Sequence, residues 1–169
     1  MPGRPTVEVD VNDSVWKKLY QRMVMASRQN AHVRVGVLSD ETTSEGLSLA
    51  GLAAIHEFGT PAREATSDSP GHPGIPERSF IRSTFYVEKA NELHATLYGI
   101  AHAVVFKGVE LSRGLGLLGQ WAAAAVKNTI TQQDIPPPLS DRTIEGKGST
   151  KPLVDTGQLL NAITYEVEG

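Results

Sequence analysis

The sequence contains no cysteine, which removes disulfide staples and thiolate-bound metals from consideration. Stability must come from packing or from assembly with other chains. Positive charge is not in excess. Sixteen Lys and Arg stand against 19 Asp and Glu, for a formal charge of -3, so nothing draws the chain to phosphate backbones in general and no specific nucleic-acid partner is expected. No apolar run approaches the roughly 20 residues of a membrane-spanning helix, so no membrane partner is expected either. The opening segment "MPGRPTVEVD" lacks a signal-peptide core, and the expected place of synthesis is a cytoplasm.

What is present is ordinary for a folded domain: 40% hydrophobic and 21% charged residues in a chain of 169, enough for one core. A single domain over residues 1–169 is expected, with extended loops at about 60–76 and 134–153. "TVEVDV" (6–11) alternates Val7, Val9 and Val11 and predicts a strand. Asn12 to Arg28 predicts a helix, with Val15, Leu19, Met23 and Ala26 at helical spacing. "HVRVGVL" (32–38) predicts a strand through Val33, Val35 and Val37.

"LSLAGLAAIHEF" predicts a short helix presenting Leu49, Leu52, Ile55 and His56, stopped by Gly59 and Pro61. The stretch 60–76, with Pro61, Pro70, Pro73 and Pro76, has little to bury and predicts a long mobile loop. A helix from Pro76 to about Phe106 would bury Ile81, Phe85, Leu93, Leu97, Ile100 and Val104. A second, at about 112–132, would bury Leu118, Trp121, Ala122, Ala125, Val126 and Ile130, and the two read as an antiparallel hairpin. After the proline-led loop, "ITYEVE" predicts a closing strand with Ile163, Tyr165 and Val167. No internal repeat is apparent.

Three motifs suggest chemistry. Asp155-Thr156-Gly157 is the tripeptide of aspartic proteases, but the chain holds one copy and only 12 residues follow it, so a carboxylate dyad would require a homodimer. The alternative is a helix cap, with Asp155 at the N-cap, Gln158 at N3, and Val154 and Leu159 forming a hydrophobic staple. His56-Glu57 begins an HExxH zinc pattern that fails at Thr60. His94 and His102 are about 12 Å apart along a helix, too far to share a metal. "GLGLLG" (Gly114, Gly116, Gly119) matches a dinucleotide fingerprint without the strand that should precede it, and close packing explains the glycines better. Neither cofactor, metal nor catalytic residue is expected.

"AAIHEFGT" (53–60), "IPERSFIR" (75–82) and "PPLSDRTIEGKGSTKPLVDTGQLLNAITYEV" (137–167) occur in that order. Together they resemble the small minor tail and tail-completion proteins of tailed bacteriophages, found where head joins tail. The matching residues are His56, Glu57, Phe58, Gly59 and Thr60; Ile75, Pro76, Arg78 and Phe80; and Pro138, Leu139, Thr143, Lys147, Leu153, Asp155, Thr156, Gly157 and Leu159. The acidic "EGKG" turn and the length of the 60–76 loop depart from the family pattern.

The resemblance implies an α+β fold, a small antiparallel sheet packed by two long helices, with loops that engage neighbouring subunits. It also implies a non-enzymatic virion protein of the phage neck or tail. Partners would be further copies in a ring, six being one option, and neighbouring connector, neck, tail-tube or terminator proteins. Expected contact residues are His56, Glu57, Phe58, Gly59, Arg78, Phe80, Pro138, Leu139, Ile144, Lys147, Lys151 and Leu153, with Asp155 and Gln158 as the structural cap. The competing expectations are a morphogenesis factor absent from the finished particle and a dimeric peptidase using Asp155.

Overall fold

A computed structural model describes residues 13–43, 46–132, 135–138 and 157–169. The order of elements is α1 (Asp13–Arg28), β1 (His32–Val37), α2 (Leu49–Phe58), α3 (Ile81–Ser83), α4 (Ala90–His102), α5 (Leu111–Gln132), α6 (Gln158–Ala162) and β2 (Ile163–Glu168). Wide π-helical turns at Thr84–Glu88 and Ala103–Lys107 extend α3 and α4. The fold is α+β. The strand expected at 6–11 lies outside the described residues.

Strands β1 and β2 pair antiparallel, from His32 opposite Glu168 to Val37 opposite Ile163. The alternation of Val33, Val35 and Val37 works as the period of two requires, with α5 packed against both strands. Arg34 reaches across to Glu166 at 2.9 Å and also pairs with Glu168. Gly119 is where α5 meets the sheet: a Cβ there would stand 2.3 Å from the Tyr165 ring and 2.8 Å from Val33 Cγ2. Gly114 does the same for the helix pair, since a Cβ would meet Ile100 Cγ2 at 2.7 Å. Two of the three fingerprint glycines are thus packing positions inside a helix.

The long helices run antiparallel. Thr84 Oγ1 lies 2.7 Å from Thr129 Oγ1, Phe85 packs on Trp121 with ring centroids 6.3 Å apart, and Ile100 faces Gly114. Early residues of one therefore meet late residues of the other. Phe80, Val126, Ile130, Leu159 and Ile163 form the centre of the core, joined by Ala53, Ala123 and Ile135.

Several expectations need correction. The first long helix begins at Ile81 rather than Pro76 and bends at Lys89, whose φ of -112° and ψ of 11° depart from the helix; of its expected stripe Val104 is buried and Leu97 is 45% exposed, because the bend turns that part of the helix away from the core. Helix α2 buries Leu49, Ala53 and Glu57 instead of the Leu49, Leu52, Ile55, His56 stripe. Helix α6 starts at Gln158 with Gly157 at its N-cap, φ 74°, so Gln158 is N1 and not N3 of a capping box. Asp155 itself lies outside the described residues.

The stretch 60–76, expected as a loop, is held as a hairpin by its own backbone hydrogen bonds. Thr60 pairs with Ile75, Arg63 with His72, and Thr66 with Ser69, every pair antiparallel. Thr60 and Ile75 exchange two backbone hydrogen bonds at 2.8 and 3.1 Å, and Arg63 and His72 exchange two at 2.9 Å. The pairs recur every third residue. A β-ladder repeats every second residue, whereas a polyproline II chain brings the same face round every third.

The sequence supplies this period as TPA-REA-TSD-SPG-HPG-IP from Thr60. Pro70, Pro73 and Pro76 stand at positions that need no donor, and Gly71 and Gly74 face the opposite strand. A Cβ at Gly71 would lie 2.6 Å from Ala65 N, and one at Gly74 would lie 2.6 Å from Thr60 O. Gly71→Ala should therefore cost about 1–3 kcal/mol of local stability. Gly74→Ala should cost more, because its φ of +81° is left-handed. Amide exchange at Arg63, His72 and Ile75 would accelerate in both variants; unchanged protection would refute the three-residue pairing.

Candidate functional site: an anchoring node for the arm

The segments "HEFG" and "ERSFIR" meet around a single buried carboxylate. Glu57 sits in the last turn of α2, 4% exposed. It accepts from Ser79 Oγ at 2.7 Å, Phe80 N at 2.8 Å, Ile81 N at 2.9 Å, Arg82 N at 3.0 Å and Arg82 Nε at 3.0 Å. The three amides belong to the start of α3, where backbone N–H groups have no partners within the helix. A carboxylate is the natural acceptor there because the N-terminal end carries partial positive charge. This explains why the helix begins at Ile81: Glu57 fixes its first turn.

Arg82 closes the arrangement from outside. Its Nη2 donates to Glu57 O at 2.6 Å and to Glu77 Oε1 at 2.8 Å, and its guanidinium lies 4.8 Å from the centroid of the Phe58 ring. The hydrogen bond with Glu57 holds Arg82 more firmly protonated. Burial alone would raise the Glu57 carboxyl, but hydrogen bonds from Ile81, Ser79 and Arg82 outweigh it and leave the pKa below its ordinary value of 4.5.

With its folded value depressed, Glu57 contributes stability that is complete above pH 4.5 and is lost as pH falls through the lower folded value. In urea titrations across pH 3 to 7, the gap in stability between the native chain and Glu57→Gln should narrow as the solution is acidified below about 4.5. A gap independent of pH would show that the charge of Glu57 is not what the folded state uses.

Arg78 turns the other way. It is 6% exposed, and its Nε and Nη2 donate to Pro137 O at 2.8 Å and Pro138 O at 3.1 Å. Burial lowers its pKa, yet a guanidinium remains charged. Arg78 N also donates to His56 O at 2.8 Å. The base of the hairpin is therefore tied to α2, to α3 and to the proline segment that follows α5. Gly59 completes the base: its N–H caps α2 by donating to Ile55 O at 2.8 Å, and its φ of 69° turns the chain into the arm. A Cβ on Gly59 would meet Ile75 O at 2.7 Å.

Of the expected contact residues, Glu57, Arg78 and Phe80 have their side chains inside the domain, Phe80 with no exposed surface. His56 is half-buried, Phe58 is 65% exposed, and Pro138 is exposed. Leu139, Ile144, Lys147, Lys151 and Leu153 lie outside the described residues. Ser79, Arg82 and Pro137 join the node; they lie inside the segments quoted for the resemblance but are not among its matching residues. Among the described residues no group of His, Asp and Glu is placed to hold a metal, and no helix is long and apolar enough to cross a membrane.

The node orders backbone: the Glu57 carboxylate gathers the amides of Phe80, Ile81 and Arg82 and the Ser79 hydroxyl. Through it the base of the hairpin is joined to α2, to α3 and to the Pro137 and Pro138 carbonyls. No family model, curated protein or solved structure matches this chain.

Proposed function

We propose that the chain is a structural protein of a tailed-phage particle, completing the tail or joining head to tail as one subunit of a ring. The observation that carries this reading is the node itself. Three separated segments that resemble the tail-completion family converge on it, through Glu57, Arg78 and the Pro137 and Pro138 carbonyls. Such an investment of buried polar groups makes sense where an arm must transmit contact to the body of the subunit. Exposed apolar side chains support an assembled state: Trp16, Tyr20 and Met25 on α1, Tyr86 and Val87 beside α3, and Tyr98 and Phe106 along α4 and its π turn, all at least 57% exposed.

The test is the composition of purified particles. The chain should be present in stoichiometric copies by mass spectrometry, and disrupting its gene should leave unjoined heads and tails. Absence from finished particles, with the same assembly defect, would favour the morphogenesis factor instead.

A further inference from the structure

We propose that the hairpin arm at 60–76 of one copy docks on the exposed aromatic stripe of α1 in a second copy, making the subunit contact head-to-tail. This deepens the ring reading above and rests on it. The first observation is that α1 lacks cover. Its 16 residues include none that is buried, and Trp16, Tyr20 and Met23, one stripe at helical spacing, are 62%, 59% and 50% exposed. A helix of this length draws most of its stability from a packed face. Among the described residues its inner edge is held by Arg22 Nη1, which donates to Val105 O and Phe106 O at 3.1 Å.

The second observation is what the arm presents. Pro61 on one strand and Pro70 and Pro73, three residues apart, on the other are all exposed, and exposed prolines in extended chain are what aromatic side chains accept. Charge agrees with this pairing. The exposed Glu64 and Asp68 lie on the arm, and the exposed Lys17 and Lys18 on α1. Arg63 does not oppose it, being turned back on Ser69 Oγ at 2.5 Å.

The third observation is position. The arm's base packs near the C-terminal end of α5, beside Ile135 to Pro138. Helix α1 packs at the other end, around Val104 to Leu111. The 22 residues of α5 put about 33 Å between these ends. An arm of about eight residues each way reaches at most ~25 Å. With its own α1 seated at the far end of α5, the arm has the α1 of another copy as its partner in this arrangement. Unlike patches in contact make a heterologous interface, which closes into a ring when the rotation permits.

The experiment uses the purified full chain and two variants in analytical ultracentrifugation. In the first, residues 61–74 are replaced by Asn-Gly so that Thr60 and Ile75 close directly. The second is Trp16→Ser with Tyr20→Ser. Each alone should lose the oligomer that the native chain forms, while a 1:1 mixture should give a heterodimer and nothing larger, since one intact arm and one intact stripe remain between them. A native chain that stays monomeric, a variant that still forms the full oligomer, or a mixture without heterodimer would each overturn the proposal.

The pair Glu64→Lys and Asp68→Lys guards against misfolding of the shortened arm. It should weaken assembly, and combination with Lys17→Glu and Lys18→Glu should restore it; absence of restoration counts against the contact. Loss of these results while the chain is still found in particles would sink the contact and leave the proposed function standing. The converse result would sink the function alone.

Discussion

Replacing Glu57 by Ala should cost about 3–5 kcal/mol of unfolding free energy, the range seen when one side of a buried charged network is removed. The reason lies in what is left behind. Phe80 N, Ile81 N and Arg82 N all donate to this carboxylate, and none gains a substitute acceptor from an alanine. Each buried donor left without a partner carries a penalty of about 1–3 kcal/mol, reduced where water can enter. Glu57→Gln keeps one acceptor oxygen but loses the charge and turns an NH2 group towards other donors, so an intermediate loss is expected. Urea unfolding decides: the midpoint should fall with little change in slope. A loss under about 1 kcal/mol for Glu57→Ala would mean that α3 starts at Ile81 for some other reason. Amide exchange in the arm adds a second measure, since the node sets its base; exchange at Thr60 and Ile75 should accelerate in step with the global loss.

How far this site could be read from the sequence depends on which period each segment follows. The strand at His32–Val37, the closing strand and α5 carry repeats of two or 3.6, the two periods that backbone geometry imposes on one-sided burial, and these elements form where expected. The arm carries a period of three, which fits neither template. Its prolines and glycines read as a loop because the partner that orders them is the other half of the same segment. The buried face of α2 departs from its apolar pattern for a related reason. Leu52 and Ile55 are the more apolar choices, but Glu57 is drawn inward by donors 22 to 25 residues further on, and no local pattern reports contacts at that separation. Helix α1 fits its pattern in extent yet not in burial: Val15, Leu19, Met23 and Ala26 are spaced for a core, and Val15 and Met23 are at least half exposed. An apolar face can be specified for a neighbouring subunit as readily as for the domain's own interior.

Phe80→Ala should be as damaging as the loss of Glu57, at about 3–5 kcal/mol. Among the described residues Phe80 is the largest side chain with no exposed surface, in a core shared with Val126 and Ile130 of α5, Leu159 of α6 and Ile163 of β2. Truncation would open a cavity at the point where the long helices meet the sheet, and α5 cannot shift to fill it while Gly119 seats against Tyr165 and Val33. Phe80→Leu, which keeps most of the volume, should lose much less. The more informative measurement is the double variant. The amide of Phe80 donates to Glu57, and its ring anchors the same turn of α3, so each residue holds the other in place. With either one gone, part of the contribution of the second is already lost. Glu57→Ala with Phe80→Ala should therefore fall short of the summed single losses by about 0.5–3 kcal/mol, as for residues in direct contact. Strict additivity in urea unfolding would show that the carboxylate node and the hydrophobic core are independent, and that the arm is not coupled through Phe80 to the body of the protein.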